Sequence, residues 1–333
     1  MKYRQLGTTD LNVSEVGFGV WTVATNWWGK RTEQENINLL VKAYDLGVNF
    51  YDTADTYSDG YGEEILAKAL RKQRHDILIG TKFGYDIYSP FEQVGHQERP
   101  QKWTTDYVRY ACEQSLRRLE TDYIDLFQLH NPKMDAIEQD ELFDLLDELV
   151  KEGKIRHYGA ALGPDIGWFE EGEAVMKHRN VPSVQVIYSL IEQQPARQFF
   201  PIAREEQTGL LSRVPHASGL LDGTFTKDTV FDSTDHRSYR KQDWLDRALV
   251  KLERLAFLTE HIDATIGQIA IKFTLSGEWI ACVLPNITSQ EQLQEFVAAP
   301  ESEEIPADDL QLAWELFDDN FGLPEEAEST VAD

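Results

Sequence analysis

The chain of 333 residues is 41% hydrophobic and sets 58 acidic against 32 basic side chains, for a formal charge of −26. So acidic a surface repels nucleic acid and anionic membranes, and no apolar run approaches the roughly 20 residues a membrane helix needs. Met1 to Asp10 read as polar and turn-like rather than as a secretory signal, and with only Cys112 and Cys282 present, reduced thiols in a cytoplasm are expected.

In chain order, Tyr3–Leu6 and Leu11–Ser14 around Gly7-Thr8-Thr9-Asp10 read as a hairpin able to plug one end of a barrel. Eight apolar runs follow: Glu15–Trp21, Asn49–Asp52, Ile77–Lys82, Ile124–His130, Ile155–Ala161, Val184–Ser189, Gly209–Val214 and Ile280–Pro285. Their continuous rather than alternating hydrophobicity suits strands buried on both faces. Helix-like stretches lie between them. Thr32-Glu33-Gln34-Glu35 has the form of a capping box, Ile37, Leu40, Val41 and Tyr44 follow at helical spacing, and Gly47 ends the helix. Further helices are expected near Gly62–Gln73, Thr104–Leu119, Ala136–Glu152, Gly167–His178, Pro195–Gln207 and Ile262–Leu275. Eight strand–helix units favour an α/β fold, a single closed (β/α)8 TIM barrel over residues 1–333, rather than an open doubly wound sheet. Two long loops, Gly84–Trp103 and His216 to about Trp244, follow strands and so belong to the face where barrel enzymes place their sites. The second holds Phe225, Phe231, Tyr239 and Trp244, which suggests an ordered flap. From Phe273 to Asp333 fifteen acidic residues occur without a Lys or Arg, which reads as a solvated acidic tail over about residues 320–333 or as adaptation to a salty cytoplasm.

The chemistry gathers at three strand ends. The second strand ends in Tyr51-Asp52-Thr53-Ala54-Asp55-Thr56-Tyr57, the third in Gly80-Thr81-Lys82-Phe83-Gly84 and the fourth in Gln128-Leu129-His130-Asn131-Pro132. A carboxylate and a lysine ending neighbouring strands of an apolar barrel should pair, since neither can be buried alone. A tyrosine beside that lysine is expected to have its pKa lowered from about 10, and a histidine nearby can donate to the same substrate oxygen. Such a group protonates an alkoxide as a carbonyl is reduced. Any one of these residues alone is more often structural; their coincidence is what points to a site. The eight histidines are scattered with no His-x-His on a strand end, so no metal site is expected.

These stretches, together with Gly17-Phe18-Gly19-Val20-Trp21, Ser115-Leu116-Arg117-Arg118-Leu119, Thr121-Asp122-Tyr123-Ile124-Asp125-Leu126, Glu152-Gly153-Lys154-Ile155-Arg156, and Gln185 with Tyr188, make the chain resemble the aldo-keto reductases over nearly its whole length. The resemblance implies a cytoplasmic oxidoreductase, an alcohol or aldose dehydrogenase in the other direction, that binds NADP or NAD without a Rossmann domain. It passes a hydride between C4 of the nicotinamide and an aldehyde, ketone or sugar. By the same resemblance Tyr57 is the general acid, Lys82 and Asp52 its tuning pair, and His130 the carbonyl orienter. Gly19, Val20 and Trp21 contact the nicotinamide end, and Gln185 and Tyr188 belong to the same cofactor shell, with Gln185 on the carboxamide. Ser212, Arg213, Val214, Pro215, His216, Ser218, Gly219 and Leu220 would line the cofactor after the seventh strand, the last four near the pyrophosphate. Asn286, Ile287, Thr288 and Gln292 would do so after the eighth. Trp21, Trp27, Trp28 and Tyr85, with Tyr57 and His130, are the substrate candidates; most of these aromatics have an equally plain reading as loop packing.

Three departures from that pattern stand out. Ala161 and Leu162 replace a Ser-Asn pair that holds the carboxamide. Arg213 replaces an aromatic that stacks on nicotinamide; a guanidinium can stack too, pair with a phosphate, or form an ion pair in the barrel mouth. After the eighth strand no cation exists beyond Lys272, Phe296 stands where an Asn is expected, and Glu291 and Glu295 would face a 2′-phosphate. The family habit is NADP, whereas this local charge leans to NAD. The alternative reading is a non-catalytic, nicotinamide-binding barrel subunit that senses redox state for a partner. The sequence carries no sign of an oligomeric state.

Overall fold

A computed structural model describes residues 1–29, 31–92, 98–163, 167–231 and 242–324. Strands β1 (Tyr3–Gln5) and β2 (Asn12–Ser14) form the antiparallel N-terminal hairpin. Eight parallel strands follow in simple sequence order: β3 (Phe18–Gly19), β4 (Phe50–Asp52), β5 (Leu78–Phe83), β6 (Ile124–His130), β7 (Ile155–Ala161), β8 (Ser183–Ile187), β9 (Gly209–Arg213) and β10 (Ile280–Leu284). The sheet closes on itself where Val16 bridges Val283 in parallel, with Gly17 N donating to the Val283 carbonyl and Val283 N to that of Glu15. The expected (β/α)8 barrel is therefore present, and β6 and β7 have the bounds that the apolar runs predict. β3 is shorter than its run, because Trp21 already opens a helical turn.

The helices are α1 (Trp21–Ala24), α2 (Glu33–Asp45), α3 (Tyr61–Leu70), α4 (Thr105–Arg118), α5 (Met134–Ile137), α6 (Asp140–Lys151), α7 (Phe169–Lys177), α8 (Ala196–Glu206), α9 (Gln242–Arg254), α10 (Phe257–His261), α11 (Ile266–Leu275), α12 (Gln290–Ala298) and α13 (Ala307–Asp318). Thr32 caps α2, accepting from Glu35 N, while the Glu35 carboxylate takes the Thr32 amide. The run Ala136–Glu152 breaks into α5 and α6, because Gln139 is extended at ψ 103°. The run from Ile262 becomes helical only at Ile266, where a second capping box, Thr265 with Gln268, sets the start. Helices α1, α9, α10, α12 and α13 lie outside the predicted set. Phe225 packs on Phe231 (5.4 Å) and Phe231 on Trp244 (6.4 Å), while Tyr239 and the tail beyond residue 324 lie outside the described residues. No helix of the described residues is long and apolar enough to cross a membrane.

Two apolar clusters follow from strand alternation. Outward residues such as Tyr51, Ile79, Phe127, Leu129 and Val184 pack under the helices. The inward cluster holds Phe50, Leu126, Leu211, Cys282 and Leu284, sealed from below by Leu6, Leu11 and Val13 of the hairpin. At this lower end Asp125 is fully buried and takes Arg74 (2.7 Å), Arg156 (2.6 Å) and the Ile79 amide (2.9 Å). The hairpin turn docks so closely that a Cβ on Gly7, whose φ is +54°, would come within 2.3 Å of the Pro182 carbonyl oxygen and 2.5 Å of the Gly209 nitrogen. Neither neighbour is a side chain that can swing away. Gly7→Ala is therefore expected to lower unfolding stability by on the order of 3 kcal/mol, through left-handed strain and backbone collision together. A urea midpoint equal to that of the parent would refute this docking.

Candidate active site

The upper end of the barrel is polar where the lower end is sealed. Inward positions at the tops of β4, β5, β6 and β8 bring Asp52, Lys82, Gln128, His130 and Gln185 together; this is the period-2 alternation again, read two residues above the inward apolar layer of Phe50 and Leu126. Lys82, 1% exposed, donates to Asp52 Oδ2 (2.5 Å), to the Thr53 carbonyl (2.8 Å) and to Tyr57 Oη (3.2 Å). Its three ammonium protons are thus all placed. Asp52 Oδ1 accepts from Gln128 Nε2 and Gln185 Nε2, both at 2.9 Å. Gly80 leaves the space this needs: a Cβ there would stand 3.3 Å from the Gln128 amide nitrogen and 3.0 Å from the Phe50 ring. Gln128 stands in the fourth strand-end motif but not among the candidate site residues, because an inward Gln beneath a strand-end histidine looks like ordinary strand.

Tyr57 reaches this group from the loop ahead of α3. A turn closed by Tyr57 N to the Ala54 carbonyl, and by Gly62 N to that of Tyr57, sets its position. Behind it Glu63 is fully buried, taking Thr81 Oγ1 and Arg118 Nε at 2.6 Å each, which ties α3 and α4 to β5. The His130 ring stands edge-on to Tyr57 (6.4 Å) and to Tyr85 (5.2 Å). Tyr85 is anchored by Asn131 Nδ2 donating to its hydroxyl (2.9 Å).

The electrostatics correct one expectation. Burial pushes the Tyr57 phenol above its ordinary value, and the Lys82 charge only partly opposes this, so the phenol is not lowered. Burial also pulls at Lys82, yet the charge of Asp52 and then Tyr57 carry its ammonium upward. Burial, then the charges of Lys82 and Arg213, hold His130 well below the usual imidazole range. At neutral pH the group is a neutral phenol, a neutral imidazole and a Lys–Asp ion pair.

The other candidates divide by strand parity. Gln185 and Arg213 point inward. Ser212 points outward, fully buried, with its hydroxyl on the Tyr188 carbonyl (3.1 Å). Tyr188, an odd number of positions from inward Gln185, is also fully buried and packs on Phe273 and Phe200, each at 5.3 Å. Neither Tyr188 nor Ser212 presents a side chain to the mouth, so only their backbone is left for a cofactor. Leu220 and Ile287 are core residues, and only their backbone is left for a ligand. His216 is buried against Phe296 (4.2 Å) with Nε2 3.0 Å from the Gly267 carbonyl, and burial brings its imidazole down to about 4.

A cleft between the segments after β9 and β10 is lined by Trp28, His216, Gly219, Asp222, Asn286, Thr288, Gln292 and Phe296. Gln292 Oε1 takes both the amide (3.0 Å) and the hydroxyl (2.7 Å) of Thr288, fixing the loop that enters α12. After β9, Val214, Ala217, Ser218 and Gly219 have φ of 58°, 47°, 60° and 93°. A β-branched residue there is strained, and left-handed residues in such turns aim amides into a concavity suited to anions. Gly19, Val20 and Trp21 sit at the rim, with Val20 N on the Asp52 carbonyl (2.8 Å). Trp21 meets Trp27 (5.6 Å) and Trp28 (5.7 Å) edge-on, and Trp27 is half exposed. A cation does approach the segment after β10, from elsewhere in the chain. Arg31 Nη1 lies 3.4 Å from the carbonyls of Thr288 and Trp28, Nη2 contacts that of Thr22, and Nε donates to Asn36 (2.9 Å).

Residues 15–316 match the family model described as Aldo/keto reductase family. The chain is 30% identical over 314 residues to the uncharacterized oxidoreductase YqkF of Bacillus subtilis (strain 168), covering 93% of this chain and 95% of that protein. It is 29% identical over 310 residues to the NADH-specific methylglyoxal reductase of Escherichia coli (strain K12), covering 90% and 93%. Among solved structures, the holo form of aldo-keto reductase AKR11C1 from Bacillus halodurans superposes with a TM-score of 0.78 at 32% identity, covering 95% of this chain and 96% of that one. Glycerol dehydrogenase AKR11B4 from Gluconobacter oxydans shares the fold with a TM-score of 0.81 at 22% identity, covering 99% of each chain.

The depressed value of His216 carries a stability consequence. Unfolded, the imidazole takes its proton near pH 6.5; folded, it stays neutral to about pH 4. Between these limits the unfolded chain binds more protons, so the folded state loses up to about 3 kcal/mol as pH falls through that window. His216→Gln should flatten the slope of stability against pH there, read from urea midpoints. A slope equal to that of the parent would place the ring in water.

Proposed function

The chain belongs to the aldo/keto reductase family, and from that premise we propose that it reduces an aldehyde, ketone or sugar carbonyl, with Tyr57 delivering the proton. The observation that carries the reading is the three-way engagement of Lys82. Its bond to Tyr57 Oη occupies a lone pair of the phenol oxygen, so the phenol proton is directed away from the ammonium. Asp52 offsets the lysine charge that burial alone would make costly, and Gln128 and Gln185 saturate its other oxygen. A carbonyl oxygen set between Tyr57 and neutral His130 meets two donors. As charge develops on that oxygen, Tyr57 releases its proton, and the adjacent Lys82 stabilises the phenolate left behind. A nicotinamide dinucleotide, when bound, supplies the hydride. In this reading inward Gln185 and Arg213 flank the ring, the left-handed segment after β9 takes the pyrophosphate, and the cleft by Asn286, Thr288 and Gln292 takes the adenosine end. Trp21, Trp27, Trp28 and Tyr85 bound the substrate space. Tyr57→Phe should lower kcat by about two to four orders of magnitude while dinucleotide binding, followed by fluorescence, survives. Near-parental turnover would remove Tyr57 from the role.

For the dinucleotide we propose NAD. Asp222 lies in the adenosine cleft, and Glu291 and Glu295 stand on α12 beside it. Arg31 approaches from the other side, but its donors are committed to the neutral oxygens of Thr22, Trp28, Asn36 and Thr288. A 2′-phosphate would therefore add its charge beside carboxylates without gaining a guanidinium of its own. The kcat/KM for NADH is expected to exceed that for NADPH by about tenfold or more, since each tenfold is only about 1.4 kcal/mol. A ratio reversed by the same factor would assign Arg31 to the phosphate.

A further inference from the structure

Arg213 is the buried charge that this mechanism places beside the ring without giving it a chemical role. It ends β9, in register with Ile187 of β8 and Leu284 of β10, and its side chain crosses the barrel mouth past β8 to donate Nη2 to the Leu162 carbonyl (2.6 Å) beyond the end of β7. That is its one hydrogen bond among the described residues; Nε is buried with no acceptor. Its charge is felt at Tyr57, Asp52, Glu192 and Tyr85, and at His130, so the guanidinium lies near the catalytic group. Asp52 and Lys82 cancel one another and His130 is neutral. Glu192 attracts the guanidinium through space, but no carboxylate is ion-paired with it among the described residues, so Arg213 brings an unpaired positive charge to the mouth.

We propose that Arg213 makes this site discriminate between the two redox states of its dinucleotide, holding the reduced form and expelling the oxidised one. The inference rests on the reading of the chain as a nicotinamide-dependent reductase. Hydride transfer demands that the donor carbon lie about 3–3.5 Å from the carbonyl carbon. With the carbonyl oxygen on Tyr57 and His130, the ring must stand in the same mouth as the guanidinium. The reduced ring is neutral, whereas the oxidised ring carries a positive charge. In reduction two electrons and a proton equivalent leave the ring as hydride for the carbonyl carbon, Tyr57 gives its proton to the oxygen, and the positive charge appears on the ring beside Arg213. Two like charges about 5 Å apart at an effective dielectric of about 20 repel by an amount worth roughly a hundredfold in binding. Water entering the mouth weakens this, so about tenfold is the effect to look for. A tenfold bias is equivalent to about 30 mV on the bound two-electron couple. The same charge favours the anionic oxygen of the transition state, so discharge of the product form and stabilisation of the alkoxide come from one side chain.

The test measures dissociation constants of NADH and NAD+ by equilibrium titration, without substrate, for the parent, Arg213→Gln and Arg213→Lys. The ratio of Kd for NAD+ to Kd for NADH should fall about tenfold in the glutamine variant and be largely kept in the lysine variant. An equal ratio in all three proteins overturns the proposal and leaves the reductase reading standing. A ratio that stays constant while KM rises only for carboxylate-bearing carbonyls overturns it too, assigning Arg213 to the substrate. Failure of the parent to bind either dinucleotide removes the reductase reading, and this inference with it.

Discussion

The short contact between Lys82 and Asp52 is the constraint on which the upper half of the molecule depends. Both side chains are buried on neighbouring strands, and an isolated charge at either position would cost several kcal/mol. The polar groups bonded to the pair make their burial tolerable. Two glutamines saturate one carboxylate oxygen, the Thr53 carbonyl takes one ammonium proton, and Tyr57 takes the last. The phenol of Tyr57 has its place here because it completes the solvation of a buried lysine.

Much of this was legible in the residues themselves. Strand runs such as Ile124–His130 and Ile155–Ala161 have their bounds in the sequence, because both faces are covered and hydrophobicity ends where burial ends. The catalytic candidates were legible because each sits at a strand end within a few residues of the run that places it. What the sequence did not disclose depends on tertiary surroundings. The sign of the Tyr57 shift turns on how much water its ring loses, a quantity no spacing encodes. Tyr188 and Ser212 resemble site residues by motif position, yet strand parity sends them outward. Gln128 and Arg31 act on parts of the chain distant from them in sequence. The helices α12 and α13 escaped notice because their acidic surfaces look like solvated coil, and α1 and α10, of 4 and 5 residues, are too short for helical spacing to show.

Charge is distributed in opposite senses across the molecule. The chain as a whole is strongly acidic, while the barrel mouth holds the positive charge of Arg213, which has no ion-pair partner among the described residues. A guanidinium in that place keeps a planar, stackable group, but unlike an aromatic ring it distinguishes partners by charge as well as shape. Its neighbour along the chain, Val214, carries left-handed strain, so the arginine is delivered to the mouth by a turn that the backbone adopts at a cost.

The seam of the barrel has a bearing beyond topology. β3 contributes two residues to the sheet, and closure against β10 rests on the Val16–Val283 bridge with its flanking backbone hydrogen bonds. Gly19 to Trp21 emerge on one side of this seam and Asn286 to Thr288 on the other. A molecule gripped by both stretches acts as a stitch across the thinnest join in the wall. Occupancy and integrity of the barrel are then thermodynamically linked, and the loaded protein resists opening by an amount set by ligand concentration over its dissociation constant. A barrel gripped in that way would be finished by its ligand, and its empty form would be the more readily unzipped.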